Sequence, residues 1–337
     1  MRTIARSLFL AIAVCLLIVP EAEASAGWCR PDTVAREDRH PLQPLTVTYF
    51  GTSTLLFSDG RDRVLIDGFF SRPRLGTLLT SALVPDDDAI AQGMGTNQPP
   101  LRAVLVAHAH HDHAMDVAAI VRTRPEAVVI GTRTVRRLLR NQHIAPHRLC
   151  GGSERTPLSF GAFRVWAYKV QHGPSPAPLR WLLDRPLGRD FSEPAWFGAY
   201  RDHENLSFLI EHEGRKILVH PSAGLRNLAG LGAEVVFLGL AGVGTMSEAD
   251  ATGYFNAVLG PRTKRVVPIH WDRFTTPLGE PLQPIPWPLD NVPRGFSLLC
   301  EHKTIRRAHL VTRMDAGSIL LVWDAEPSTE ACDPPRT

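Results

Sequence analysis

The chain has few cysteines and none of them forms a Cys-x-x-Cys pair, so a zinc site built from thiolates is not indicated. After residue 20 there is no run of the roughly 20 apolar residues that a membrane helix needs. Aromatic residues make up only 7% of the sequence, and the formal net charge is +3 without a basic stripe interleaved with aromatics. The sequence therefore predicts no nucleic-acid partner.

The N-terminal segment has the composition of a secretory signal peptide over residues 1–26. Its start carries two arginines, and residues 8–19 form an apolar run that is too short to span a bilayer. Ala-Ser-Ala at residues 24–26 offers a small-residue cleavage site, with residues 22–24 as the competing site. The sequence predicts an exported protein, periplasmic or secreted, in which residues 27–337 form a single domain without a transmembrane helix.

Four cysteines lie outside the predicted signal peptide. In an oxidising compartment they are expected to form two disulfides, in one of three connectivities. We favour the pairing of Cys300 with Cys332, because it closes the most local loop. The other two cysteines are Cys29 and Cys150.

Residues 108–113 read His-Ala-His-His-Asp-His, the densest group of metal-binding side chains in the sequence. Positions 1, 3, 5 and 6 of this run suit a loop that aims its side chains at metal, and imidazole with carboxylate is a ligand set of catalytic zinc. An apolar run at residues 103–107 precedes the motif, and a segment of helical character follows it. A strand end and a helix start make a rigid site, so we interpret the motif as metal-binding rather than as a solvated polar turn.

The motif resembles the HxHxDH signature of the metallo-β-lactamase-fold hydrolases. Further elements resemble that family in the expected order across residues 45–325: Asp67 after a strand, then His172, then His270 after an apolar strand. The resemblance implies a metal-dependent hydrolase with an α/β fold, an αββα sandwich of two β-sheets with helices on the outer faces. The patterning agrees, since strands precede helices twice along the chain.

The resemblance also implies two sets of zinc ligands and a catalytic carboxylate. Asp112 would orient the attacking water and accept its proton, while Asp67 would support a ligand histidine or the ligand loop rather than touch metal. The first ion would be held by His108, His110 and His172, and the second by Asp112, His113 and His270.

One position departs from the family pattern. The aspartate that usually bridges two metals falls at about Ser222. A serine is a poor metal ligand, so we expect one or two zinc ions, with the second site the weaker. His220 is interpreted as a structural histidine at a strand end.

Two insertions rich in proline and aromatic residues follow ligand histidines, at residues 173–203 and 276–294. Long loops are commonly functional, and aromatic rims are typical of pockets for apolar ligands. The candidates for a substrate rim are Trp181, Trp196, Trp271 and Trp287.

The substrate is the least determined property, because this fold hosts many reactions. Residues 270–274 (His-Trp-Asp-Arg-Phe) resemble the HW-x-x-F stretch of the lipid phosphodiesterase branch. With the aromatic rim, this favours a small-molecule or lipid-like substrate, an ester or phosphodiester with an apolar part. The alternatives are a β-lactamase or lactonase, and a metal-binding member of the fold without turnover.

Two local predictions concern segments outside the motif. Three consecutive aspartates, two glycines and a Pro-Pro pair in residues 84–100 are typical of a surface loop rather than of a calcium site. A final helix is predicted at residues 295–307 and a final strand at residues 318–323.

Overall fold

The computed structural model of the chain describes residues 43–173, 175, 177–188, 191–305, 308–310 and 314–323. The predicted signal peptide, Cys29 and Cys332 lie outside them. The strands are β1 Thr46–Tyr49, β2 Leu55–Ser58, β3 Arg63–Ile66, β4 Leu101–Val106, β5 Val128–Gly131, β6 Leu149–Gly151, β7 Leu158–Phe160, β8 Phe163–Val170, β9 Asn205–His212, β10 Arg215–His220, β11 Val235–Gly239, β12 Arg265–Ile269, β13 His309–Leu310 and β14 Ser318–Leu321. The α-helices are α1 Leu75–Thr80, α2 Asp87–Met94, α3 His111–Ala114, α4 Val117–Arg122, α5 Arg133–Asn141, α6 Ala177–Leu183, α7 Glu248–Val258 and α8 Val292–Glu301.

The strands form two seven-stranded sheets that share one plan. Sheet one has the order β14-β1-β2-β3-β4-β5-β6, and sheet two has the order β13-β12-β11-β10-β9-β8-β7. In sheet one, antiparallel pairing up to β3 gives way to parallel pairing from β3 to β6. Sheet two changes in the same way at β10. The predicted αββα sandwich is confirmed.

Two apolar clusters hold the layers together. The larger lies between the sheets, where Phe57 and Phe237 meet edge to face at 5.6 Å between ring centroids, and it extends to Phe296 of α8. The second joins sheet one to its helices and includes Val104 of β4 and Leu138 of α5. Helices thus cover outward sheet faces, as a sheet buried on both sides requires.

Strand composition follows from this layering. The strands β3, β5, β11 and β12 are apolar or nearly so and buried at every position, as expected of strands covered on both faces. By contrast, β8 alternates buried and more exposed residues with the period of two that a half-buried strand shows. Because β3, β4 and β5 run parallel, their carboxyl ends meet at one edge of sheet one, and β4 leads directly into residues 108–113.

The aspartate-rich segment was predicted wrongly as a loop, because it begins helix α2. The Asp86 side chain accepts a hydrogen bond from the Ala89 amide at 3.0 Å, which caps the helix. Asp87 and Asp88 lie in the first turn, where negative charge interacts favourably with the helix dipole. A run of acidic residues before an apolar stripe therefore marked a helix start.

The last helix and strand differ from their predicted bounds. Helix α8 begins at Val292 and ends at Glu301, because Asn291 caps it by accepting from the Arg294 amide and a proline occupies its first turn. Strand β14 ends at Leu321. The insertion at residues 173–203 also contains regular structure, helix α6 and a 3-10 turn at Phe197–Ala199.

Cys150 and Cys300 are both disulfide-bonded, and the predicted pairing of Cys300 with Cys332 lies outside the described residues. Among the described helices, none has the length and apolarity that crossing a membrane requires.

Candidate metal centre

The motif folds as a strand end, a tight turn and one helical turn. Strand β4 is almost fully buried up to Val106, and helix α3 starts at His111. The His110 carbonyl accepts hydrogen bonds from the amides of His113 and Ala114 at 3.1 and 2.9 Å. This closes the turn, so that ligand side chains before and inside α3 point to a common centre.

The first predicted set of ligands comes together as a group of three imidazoles, here named the three-histidine set. His108 Nε2 lies 3.0 Å from His110 Nδ1 and 3.0 Å from His172 Nε2. His172 follows β8 of sheet two, whereas the other two histidines follow β4 of sheet one. Two residues from one sheet and one from the other therefore form this set.

The second predicted set, Asp112, His113 and His270, also comes together and is named the mixed set. His270 Nε2 lies 3.2 Å from His113 Nε2, and Asp112 Oδ2 lies 3.4 Å from each of these two nitrogens. The sets adjoin, since the rings of His108 and His113 are 4.0 Å apart between centroids. His270 follows β12, so this set too takes two residues from sheet one and one from sheet two.

Burial sets the charge of these groups. It holds the pKa of His108 and of His110 well below the usual range, and neighbouring histidines lower it further. Burial lowers the pKa of His172 to about 4. Burial opposes ionisation of Asp112, but the adjacent His113 and His270 outweigh it and hold the carboxyl pKa well below its usual range. The three-histidine set is therefore neutral, and the mixed set contains a carboxylate.

The donor atoms of both sets fit a metal ion. Within each set, one ligand atom per residue lies within 4.8 Å of the other two. Hydrogen bonds alone do not satisfy them, because a neutral imidazole carries one proton and three ring nitrogens converge at His108 Nε2. Within the part of the chain that the structure describes, the Nδ1 atoms of His108, His172 and His270 have no hydrogen-bond partner, which leaves Nε2 as the ligand atom when Nδ1 carries the proton.

Asp67 lies behind the mixed set rather than within it. One carboxylate oxygen accepts from His113 Nδ1 at 2.8 Å and from the Ser53 hydroxyl at 2.5 Å. The other accepts from the Ala107 amide at 2.8 Å, at the start of the ligand loop. Burial by itself lowers the pKa of His113. The Asp67 carboxylate helps to outweigh burial, and the pKa of His113 is raised. Asp67 therefore fixes the His113 ring with Nε2 toward the other ligands.

Ser222 and His220 occupy neighbouring positions with different contacts. Ser222 Oγ accepts from the Gly173 amide at 3.1 Å, directly after His172. His220 bonds with the Ser207 hydroxyl at 2.6 Å and with the Gly224 carbonyl at 3.1 Å, which uses both ring nitrogens. His220 is thus a structural histidine, and Ser222 anchors the loop that carries His172.

The tryptophan rim requires one correction. Trp271, two residues past the end of β12, is only 2% exposed and packs on Phe296 in the core. Trp181, Trp196 and Trp287 are 63%, 42% and 75% exposed. Trp196 donates to the Leu79 carbonyl at 3.3 Å, and none of the recorded contacts of these three reaches a ligand residue.

Aromatic residues beside the site are phenylalanines that sequence reasoning did not single out as site residues. Phe69, Phe197 and Phe274 surround His111, with ring centroids 5.9, 5.8 and 5.5 Å away. His111 is buried, and neither of its ring nitrogens has a hydrogen-bond partner among the described residues, although Nδ1 lies 3.8 Å from Asp112 Oδ1. Phe197 belongs to the first insertion and Phe274 follows His270, so their places in the sequence were the available signal. These side chains form an apolar wall around His111, the residue before Asp112.

Two further carboxylates hold the loops of the centre. Asp202 accepts from the Ala109 amide at 3.0 Å, between two ligand histidines, and from the Thr132 hydroxyl at 3.0 Å. Asp272 pairs with Arg72 at 2.6 Å, and both side chains are completely buried. No local sequence signal marks Arg72 or Asp202, because both act across long separations in the chain.

Comparison with known proteins agrees with this geometry. The sequence profile of the metallo-beta-lactamase superfamily matches residues 47–190. UPF0173 metal-dependent hydrolases from two strains of Thermus thermophilus are each 26% identical over 232 residues, which covers 68% of this chain and 84% of the relative. The solved structure of Igni18, a metallo hydrolase from Ignicoccus hospitalis, has a TM-score of 0.50 at 18% identity and covers 82% of this chain and 97% of that chain. The likeness to that structure is one of fold.

Proposed function

We propose that the chain is a metal-dependent hydrolase of the metallo-β-lactamase superfamily, that its metal is zinc, and that its substrate is an ester or phosphodiester with an apolar part. Imidazole nitrogens and a carboxylate oxygen are the donors that hold catalytic zinc, which supports this metal. The three-histidine set would hold one ion and the mixed set a second. When bound, zinc supplies Lewis acidity to the substrate oxygen and a water whose pKa is lowered to about 7.

The residues of the chain have separate tasks in this proposal. The neutral histidines of the three-histidine set present lone pairs without first losing a proton. Asp112 is ionised, so it orients the attacking water and accepts its proton. Asp67 keeps the His113 ring in one orientation through the hydrogen bond to Nδ1.

The apolar wall around His111, the residue before Asp112, is the observation that carries the substrate proposal, and Phe274 is its partly exposed member. Phe69, Phe197 and Phe274 pack around His111, whose backbone adjoins that catalytic carboxylate. Apolar lining with few polar groups is typical of sites for ligands with an apolar part. A phenylalanine wall offers no hydrogen bonds to the amide and carboxylate of a β-lactam.

The test is a substrate panel on zinc-loaded protein. It comprises aryl esters of increasing acyl length, aryl phosphodiesters, lactones and a chromogenic cephalosporin. We expect kcat/KM to rise with acyl length, by up to about fourfold per methylene, the equivalent of ~0.8 kcal/mol. Phe274→Ala should flatten this dependence, whereas Trp287→Ala should retain it.

The other outcomes decide against the proposal. Preference for the cephalosporin or for lactones would identify the alternative hydrolases. Absence of turnover with every substrate class and full zinc occupancy would support a metal-binding protein. If kcat/KM still depends on acyl length in Phe274→Ala but no longer does so in Trp287→Ala, the apolar contact with the substrate lies at the exposed rim.

We also propose that the protein is exported, to the periplasm or the medium. The charged start, the short apolar run and the small-residue site at residues 24–26 support this. Disulfide bonding of Cys150 and Cys300 agrees with an oxidising compartment. Intact mass of the exported protein should give an N-terminus at Gly27 or Ser25, and a chain beginning at Met1 would contradict the proposal.

A further inference from the structure

The buried pair Arg72–Asp272 lies next to the metal centre but contacts no ligand side chain. Arg72 uses its guanidinium fully: Nε donates to the Thr276 carbonyl at 2.6 Å, and Nη2 donates to Asp272 at 2.6 Å and to the Arg273 carbonyl at 3.0 Å. Its Nη1 donates to the Phe50 carbonyl at 3.2 Å. A buried arginine with this many partners fixes the loop that follows His270.

The carboxylate of Asp272 in turn holds a turn of sheet one. Its Oδ1 accepts from the Thr52 amide at 2.7 Å and from the Tyr49 hydroxyl at 2.9 Å. The Thr52 carbonyl accepts from the His270 amide at 2.6 Å. Both sides of Thr52 are therefore bonded to the segment 270–272, which carries the last ligand of the mixed set.

The same turn also reaches the other imidazole of the mixed set. Ser53 follows Thr52, donates to Asp67 at 2.5 Å and lies 3.1 Å from His113 Nδ1. His113 and His270 are thus tied to adjacent residues of one turn. Because His270 Nδ1 has no hydrogen-bond partner in the described ranges, the ring has no hydrogen bond there outside the ligand set and depends on its backbone for position.

The backbone at this point needs such support. Thr52, Asp67, Arg72 and His270 have φ values of 52°, 56°, 40° and 55°, in the left-handed region that residues other than glycine rarely adopt. Non-glycine residues keep such conformations only where surrounding contacts impose them. The turn requires glycine at position 51, because a Cβ there would lie 2.4 Å from Arg72 Nη1 and 2.8 Å from Asp272 Oδ2.

We propose that Arg72 and Asp272 are positioning residues that hold His270 against His113 through the turn 51–53, and so set the metal affinity of the mixed set. The three-histidine set shares none of these hydrogen bonds. The pair is therefore expected to act on one ligand set and to spare the other. The inference rests on metal binding by both sets and not on the identity of the substrate.

The test is a zinc titration of Asp272→Asn against a competing chromophoric chelator. Wild type is expected to bind two ions. In Asp272→Asn one affinity should fall by about 10- to 100-fold, the range for changes to partners of metal ligands, and the other should stay. Activity lost at limiting zinc should return at saturating zinc, because the ligands themselves are intact.

A matched control is Asp59→Asn. Asp59 and His212 form another completely buried pair, 3.1 Å apart, at the edge of the sheets opposite to the ligands. This variant should lower the thermal midpoint and leave both zinc affinities unchanged. If Asp59→Asn and Asp272→Asn weaken zinc binding equally, the pair merely stabilises the fold and the proposal is wrong.

A second variant covers the case in which Asp272→Asn does not fold. Tyr49→Phe removes one hydrogen bond to Asp272 and keeps the ion pair, so it should weaken the same zinc site by a smaller factor. Two unchanged affinities in Asp272→Asn, or in Tyr49→Phe if only that variant folds, would overturn the proposal. Uptake of a single zinc ion by wild type would also overturn it.

Discussion

The two ligand sets of the metal centre differ in how the protein holds them. In the three-histidine set, two imidazoles leave Nδ1 without a hydrogen-bond partner, and His110 Nε2 reaches only the Leu183 carbonyl at 3.3 Å. In the mixed set, His113 donates to Asp67 at 2.8 Å, and His270 is fixed through its backbone by the turn 51–53. The mixed set is therefore held by hydrogen bonds to the ligand residues themselves, whereas Asp202 and Ser222 hold the chain neighbours of the three-histidine set.

This difference coincides with the departure at Ser222. The family's bridging carboxylate would contribute charge to the mixed set, and here a serine oxygen binds the Gly173 amide instead. Fixed ligands lose less conformational freedom on binding, so a rigid set recovers part of the affinity that a missing ligand removes. The three-histidine set has three neutral nitrogen ligands and needs less support.

The largest effect is expected from His110→Ala, which removes a ligand of the three-histidine set. Loss of one of three protein ligands should release that ion and abolish hydrolysis, a larger loss than the about 10- to 100-fold caused by outer partners. Elemental analysis and kcat/KM measure both effects. Full metal content with full activity would show that the set is assigned wrongly.

The next effect is expected from Asp67→Asn, which changes only the support of the mixed set. An amide nitrogen facing His113 Nδ1 puts two donors together in place of the 2.8 Å hydrogen bond. Zinc affinity of the mixed set should fall by about 10- to 100-fold. Ser53→Ala, which keeps the carboxylate, should have a smaller effect. If zinc affinity fell at the three-histidine set instead, Asp67 would not be the support of the mixed set.

Ser222→Asp should bring the zinc affinities of the two ligand sets closer together. A carboxylate supplies charge and a hard oxygen ligand, so zinc affinity of the mixed set should rise by roughly tenfold, equivalent to ~1.4 kcal/mol. Ser222→Ala is the control, since it removes the bond to Gly173 without adding charge. If titration of Ser222→Asp gives wild-type affinities, the residue does not face the ions.

The smallest effect concerns the insertion at residues 173–203, whose Leu183 carbonyl lies 3.3 Å from His110 Nε2. Burial raises the pKa of Glu193 to about 7, although Tyr200 and Gln142 donate to it at 2.7 and 3.0 Å. A pKa raised on folding means that this stabilisation is complete below the unfolded value of 4.5 and is lost as pH rises through about 7.

The thermal midpoint should therefore decline between pH 5 and pH 8 in wild type and decline less in Glu193→Gln, which stays neutral. Glu301→Gln, on an exposed side chain of α8, should follow wild type. Protection of the amides in residues 177–188 against hydrogen exchange, corrected for the intrinsic rise of the exchange rate with pH, should fall over the same pH range in wild type only. If the thermal midpoint had the same pH dependence in all three proteins, Glu193 would not be a residue that stabilises the insertion.

Sequence reasoning predicted the parts of the site that are close together in the chain. The motif at residues 108–113 lies on one turn, so its spacing alone indicates how the side chains converge. His172 and His270 required the family resemblance, because each follows a strand of the other sheet. The fold class followed from the same resemblance and from the order of strands and helices.

The errors and omissions have a common physical cause. Trp271 was placed on the rim because it adjoins His270, but the left-handed backbone at His270 is followed by a side chain that packs in the core against Phe296. Asp86 looked like part of a loop because its capping bond to Ala89 is visible only in three dimensions. The Arg72–Asp272 pair spans 200 positions and has no local pattern.

The division of each ligand set between the two sheets has a consequence for the whole molecule. Every ion that binds joins sheet one to sheet two, so it acts as a cross-link between halves that otherwise meet through apolar packing and a small number of polar contacts, such as the Asp59–His212 pair. Binding to the folded chain alone stabilises it by about 2.7 kcal/mol per site when free zinc is 100 times the dissociation constant. The resistance of this protein to heat and to proteases should therefore rise with the free zinc concentration around it. A chelator that removes the ions would weaken the contact between the two sheets.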